Sequence, residues 1–162
     1  MPTLTPRQDT IAGIKIELYE SADKPTISIE SARPYIDCEI IYDDPTTAEQ
    51  AYAEIKSILP ALSAFLADAN AYASLLTAKP IEGMSFFVNP DRRISAAYVV
   101  LGEDRFLFIL YDPSSDLFTI EPDPADDQFL QSLADYVLSQ SPYLPKLKPL
   151  FRALAKAKDT SP

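Results

Sequence analysis

The stretch Phe106-Leu107-Phe108-Ile109-Leu110-Tyr111 carries apolar or aromatic side chains at both parities and has no polar alternate. A strand with one wet face alternates apolar and polar residues. A run that is apolar throughout therefore belongs in the middle of a sheet, with cover on both sides or an interface on one. Turns border it on either side, Gly102-Glu103-Asp104 before and Asp112-Pro113-Ser114-Ser115 after. Beyond them lie Ile94 to Leu101 and Leu117 to Glu121, and Asn89-Pro90-Asp91 separates the first of these from Met84 to Val88. Turn residues at such intervals between β-rich runs predict an antiparallel meander.

The preceding half repeats this grammar. Ile14, Ile16 and Leu18 alternate with Lys15, Glu17 and Tyr19, Ile27 and Ile29 mark Thr26 to Glu30, and Cys38 and Ile40 mark Ile36 to Tyr42. The intervening Ala22-Asp23-Lys24-Pro25 and Ala32-Arg33-Pro34 read as turns. Asp44-Pro45 then opens a helix, the aspartate as N-cap and the proline where no amide is needed, while Thr46 and Glu49 also have capping-box spacing. Ala48, Tyr52, Ile55 and Leu59 share one face. Pro60 is expected to break or kink this helix by removing a hydrogen bond, with a second helix from Ala61 to about Thr77 carrying Leu62, Phe65, Leu66, Ala69, Tyr72 and Leu76. Asp123-Pro124 is expected to start a helix as Asp44-Pro45 does, with Phe129, Leu130, Leu133 and Val137 facing inward. Pro149 is read as the first residue of a terminal helix to about Lys158, apolar at Leu150, Phe151 and Leu154.

These elements predict one α+β domain over residues 11–158, antiparallel meander sheets covered by helices on one face, between flexible tails at 1–10 and 159–162. One constant shift superposes Tyr19 on Tyr98, Asp37 on Asp116 and Asp44-Pro45 on Asp123-Pro124. It suggests two βββαα halves, 11–78 and 84–158, with Met84 to Val88 as an extra strand outside the repeat. The element order resembles the peptide-binding fold of the type III secretion chaperones, where three strands, a helix, more strands and a helix build a sheet-and-helix dimer. The initial helix of that fold is missing here, extra strands are present, and no motif residue carries across.

Composition removes several chemistries. The 162 residues include no histidine, so imidazole acid/base catalysis and Ser-His or Cys-His relays have no source within this chain. The one cysteine, Cys38, allows neither an intrachain disulfide nor a thiolate zinc site, and its place in an alternating strand makes it a small buried hydrophobe. Three scattered glycines, Gly13, Gly83 and Gly102, build no phosphate-cradling loop. No cofactor or metal is expected. Twenty-four acidic residues against fourteen basic ones give −10, which disfavours nucleic acid. From Tyr143 onward five basic residues face Asp159 alone, a local +4 that leaves −14 for the rest. No apolar run reaches membrane-span length and Met1 to Thr10 lacks a signal-peptide hydrophobic region, so the expectation is a soluble cytoplasmic protein, monomer or homodimer, with no membrane partner.

The candidate binding residues follow from these patterns. Tyr42, Tyr98 and Tyr111 sit on strands, where tyrosine offers large area with a polar tip suited to an interface. Arg92 and Arg93 lie just past a turn and near Arg105 across a hairpin, an arrangement for an anion site or for surface pairing with Asp91, Glu103 or Asp104. Asp123, Asp126 and Asp127 crowd a helix start with Glu121, as a solvated cap or a dock for a basic partner. Asp43-Asp44 and the pair Asp112 and Asp116 could chelate a hard cation, although turn and cap roles satisfy all four. The basic C-terminal helix can pack its apolar face with its cations toward acidic neighbours, lie on an anionic membrane, or engage a partner. The leading functional expectation is a noncatalytic module (adaptor, chaperone or inhibitor) binding a protein partner of basic character. A carboxylate-dependent enzyme or cation binder, and self-assembly through Phe106 to Tyr111, are the alternatives.

Overall fold

A computed structural model describes residues 4–77, 80–89, 94–102 and 104–161. Strands β1 (Arg7–Ile11), β2 (Ile14–Ser21), β3 (Lys24–Ser31) and β4 (Ile36–Ile41) form an antiparallel meander, followed by helix α1 (Pro45–Leu76). A second meander, β5 (Gly83–Asn89), β6 (Ile94–Val100), β7 (Phe106–Asp112) and β8 (Leu117–Asp123), precedes α2 (Gln128–Ser139), a 3-10 turn at Leu144–Leu147, α3 (Lys148–Ala155) and β9 (Asp159–Ser161). The sheet orders are β1-β2-β3-β4-β9 and β5-β6-β7-β8. The α+β class and the one-sided helical cover are as the alternation predicts.

The inner face of the first sheet is Ile14, Ile16, Leu18, Ile27, Ile29, Ile36, Cys38 and Ile40, all buried, against the apolar stripe of α1. Met84, Phe86, Ala97, Val99, Leu107, Ile109 and Tyr111 form the inner face of the second and join the same core with Leu130, Leu133, Leu150, Phe151 and Leu154. The sheets meet where Tyr35 bridges Gly83 in parallel: the Met84 amide donates to the Tyr35 carbonyl at 3.0 Å. A Cβ at residue 83 would fall 2.7 Å from that carbonyl oxygen, which is why glycine occupies the junction.

Several expectations are corrected. Arg7–Ile11 pairs with β2 from Arg7↔Leu18 to Ile11↔Ile14 and Leu4 is buried, so residues 7–10 of the expected N-terminal tail are part of the sheet. At the other end, β9 pairs with β4. Pro60 does not divide α1, which runs unbroken for 32 residues, about 48 Å of helix. Buried Ile55, Ile58, Leu59, Leu62 and Phe65 anchor both sides of the exposed proline, and tertiary packing outweighs the missing hydrogen bond. The unbroken helix is long and apolar enough to cross a membrane by length and composition, contrary to the expectation that no segment is; in the fold its apolar stripe packs on the first sheet, α2 and α3.

The second half is also corrected. Asp123 ends β8, and α2 starts five residues later at Gln128, capped by Asp127, whose carboxylate accepts the Leu130 amide at 3.1 Å. Each half therefore has four strands, and β5 is the first strand of the second meander. The βββαα count does not hold, and the match of Asp44-Pro45 with Asp123-Pro124, which gave the duplication its helix-start identity, joins a cap to a strand end.

Candidate protein-binding surface

Strand register sorts the second sheet into two faces. Tyr98 lies opposite Ser85 and Phe108, Phe106 opposite Val100 and Asp123, and Phe108 opposite Glu121. Those residues, with Phe87 and Leu110, point away from the helices. The inner parity holds Ser95, whose hydroxyl donates to the Phe151 carbonyl of α3 at 2.8 Å, and Tyr111, whose ring lies 5.9 Å from that of Phe151. The outer rings Phe87, Tyr98, Phe106 and Phe108 are half-buried and pack on each other, not on the core. Tyr98 is 6.1 Å from Phe87, 6.1 Å from Phe106 and 5.9 Å from Phe108, centroid to centroid. Ala96, opposite Phe87, is fully buried beneath this carpet although it lies outside the core cluster. Exposed Leu117, of the same parity, extends the apolar surface along β8.

The corresponding face of the first sheet follows the usual alternation with Lys15, Glu17, Tyr19, Glu30, Asp37 and Glu39, where the Tyr19 hydroxyl donates to Glu39 at 2.9 Å. Among the described residues the uncovered aromatic carpet is thus particular to the second sheet, at the strand whose apolar run has no polar parity. Its charged border is acidic. Glu121 and Asp123 flank Phe108 and Phe106 on β8 and hold no ion pair among the described residues. The hydroxyl of Tyr98 has no acceptor there either. By contrast, Tyr42, Tyr52, Tyr111 and Tyr136 each donate to a carboxylate or carbonyl.

Of the expected binding residues, Tyr98 lies at the centre of this carpet and Asp123 at its border. Tyr42 is corrected: it is fully buried and its hydroxyl donates to the Ala153 carbonyl at 2.8 Å. The ring of Tyr111 is likewise core, at 1% exposure. Asp126 is exposed beyond the end of β8, and Asp127 caps α2 while pairing with Arg105 at 2.8 Å. Arg105 also lies over the Phe129 ring, and its acidic partner among the described residues is Asp127 at the start of α2; Asp91 and Glu103 lie outside the described residues. Arg92 and Arg93 lie outside the described residues. Phe87, Phe106, Phe108 and Glu121 complete the surface. The apolar run of β7 signalled two of them, and register was needed to join the others.

A second feature is a cavity of about 850 Å³ between α1, α3 and the β7–β8 turn, lined by Glu54, Tyr111, Asp116, Arg152 and Lys156 among others. Asp116, at φ 59°, accepts from the Tyr111 hydroxyl, from Lys148 at 3.0 Å and from Arg152 at 3.0 Å. The hydroxyl foremost, then the two cations, hold its carboxyl well below the usual range. Asp112 accepts the Ser114 hydroxyl at 2.6 Å and amide at 2.9 Å, an Asx turn. Asp44 caps α1 through Thr47, and Asp43 lies within salt-bridge distance of Lys24 and Lys158. The carboxylates considered for cation binding are therefore held by the fold's own donors, and among the described residues no three His, Cys, Asp or Glu side chains gather to hold a metal ion. The C-terminal helix packs its apolar face inward and turns Lys148 and Arg152 to Asp116, the first of its three expected arrangements.

No protein-family model, curated protein or solved structure matches this chain.

Proposed function

We propose that this chain is a noncatalytic protein-binding module that docks its partner on the outer face of the β5–β8 sheet. The observation that carries this reading is the carpet of Phe87, Tyr98, Phe106 and Phe108, four rings on a sheet face without helical cover. Aromatic side chains bury large area with few rotatable bonds, and a contiguous apolar patch on a soluble surface marks an interaction site. The border acids, without an ion pair among the described residues, and a net charge of −10 favour a basic partner through electrostatic steering.

The test is photo-crosslinking in the native host with p-benzoylphenylalanine at Thr119, which is exposed on the same face of β8, and in a separate variant at Glu17 on the outer face of the first sheet. Discrete adducts at Thr119 and none at Glu17 support the reading. Adducts confined to Glu17, or none at Thr119, reject it.

A further inference from the structure

We infer that the outer face of the second sheet contains a seat for one cationic side chain of the partner, best filled by arginine. This inference rests on the docking reading above and names the chemistry of its anchor. Tyr98, Phe106, Phe108 and Asp123 line one groove of about 290 Å³. That is room for one long side chain and lies at the lower end of the usual range of ligand pockets. The rings stand 5.9 to 6.2 Å apart, Tyr98 edge-on to Phe106 and tilted to Phe108.

Electron-rich ring faces attract a cation held over them, and a neighbouring carboxylate adds a charge-assisted acceptor. Asp123 supplies that acceptor beside Phe106, its cross-strand partner, and Glu121 supplies a second beside Phe108. Among the described residues neither acid is spent on an internal ion pair, whereas Asp9, Asp116 and Asp127 all are. No lysine or arginine shares the outward parity of the described strand residues on this sheet. The groove therefore joins three aromatic rings to an acidic border and, among the described residues, holds no resident cation.

Arginine fits this combination better than lysine because its planar guanidinium stacks on rings while presenting paired donors to a carboxylate. Pro122 in the edge strand β8 disfavours strand addition along that edge and so favours docking on the face. A second copy of this chain is disfavoured as occupant, since each copy carries −10 and the same acidic border.

The probe is a labelled nine-residue peptide of alternating valine and threonine with one central arginine, compared with citrulline, lysine, trimethyllysine and glutamate versions. Binding to the full chain is read by fluorescence anisotropy at low salt, and amide shifts locate the site. The arginine peptide should bind about tenfold more tightly than the isosteric citrulline peptide and more tightly than the lysine peptide, with shifts in β6, β7 and β8. Asp123→Asn should weaken the arginine peptide about threefold to tenfold and leave the citrulline peptide unchanged; Phe108→Leu, which keeps apolar area, should do the same; Glu17→Gln should do neither.

Equal affinity for arginine and citrulline, tighter binding of trimethyllysine, no binding of the arginine peptide, or shifts confined to the first sheet would each overturn the inference. So would concentration-dependent self-association abolished by Phe108→Thr, which assigns the face to a second copy. Should any of these occur while Thr119 still crosslinks to a partner, the cation seat fails and the docking reading stands. Loss of the Thr119 adducts is the separate failure of that reading.

Discussion

Tyr98 and Phe108 stand directly opposite each other across β6 and β7, ring centroids 5.9 Å apart, on the side of the sheet away from the helices. Residues at the same parity of the first sheet are mostly charged. Among the described residues the two sheets thus differ in outer chemistry, and the second carries the cluster of half-buried aromatic rings. That contrast separates the residues of the proposed docking face from packing residues.

Replacing Phe87, Phe106 and Phe108 together by threonine retains β propensity and removes the carpet. These rings pack on each other outside the core, so each should cost no more than about 1 kcal/mol of stability, the scale of a cross-strand pair. Binding of an environment-sensitive dye such as bis-ANS should fall severalfold. Tyr19→Thr on the first sheet should leave dye fluorescence unchanged.

Tyr42→Phe isolates a packing tyrosine. It removes a buried hydroxyl from the Ala153 carbonyl at the end of α3, with an expected loss of about 1 kcal/mol in urea unfolding. Because Tyr42 lies in the core, the Thr119 crosslinking yield should not change.

Asp116→Asn tests the link between the β7–β8 turn and α3. Asparagine tolerates the left-handed backbone at this position, so the variant removes charge without adding strain. A carboxyl whose folded-state pKa is depressed contributes stability that is present above its unfolded value, roughly pH 4, and is lost as pH falls toward the folded value. Wild type should melt above the variant at pH 7, and the gap should narrow steadily below about pH 4. A gap that is unchanged at pH 2 would contradict the assigned role of the carboxylate.

Cys38 is fully buried with its sulfur 3.5 Å from the Phe86 carbonyl oxygen, and burial pushes the thiol up to about 11. It should resist Ellman's reagent in the folded chain at pH 8 and react stoichiometrically in denaturant. Rapid native reaction would show that the junction between the sheets opens.

Much of the fold was legible because period-two alternation survives in Ile14 to Leu18 and Ile36 to Ile40, and because Asp44-Pro45 and the capping-box pair Thr46 and Glu49 both place a helix start within a few residues. Two features were not. Pro60 follows the local rule for ending a helix, yet packing on both sides overrides it, and Pro60→Ala should add up to about 3 kcal/mol since the ring is exposed. The stretch Asp123-Pro124-Ala125-Asp126-Asp127 offers three caps, and selection falls on Asp127, which has the spacing to reach Leu130 while pairing with Arg105. Within the site, Tyr42 shares parity with buried Ile36, Cys38 and Ile40, and Tyr111 with Leu107 and Ile109, so the sequence held the signal that both turn inward. The carpet itself was half legible. The β7 run announced an apolar outer parity, but which side remained uncovered depended on where α2 and α3 packed.

The most direct measurement is the affinity of the partner recovered through Thr119 for three forms of the chain: wild type, Tyr42→Phe, and the triple variant Phe87→Thr, Phe106→Thr, Phe108→Thr. Docking on the outer face predicts at least a hundredfold loss for the triple variant, the scale of losing two or three interface hot spots, with Tyr42→Phe matching wild type. A correctly folded triple variant that binds within threefold of wild type would place the partner elsewhere and contradict the account.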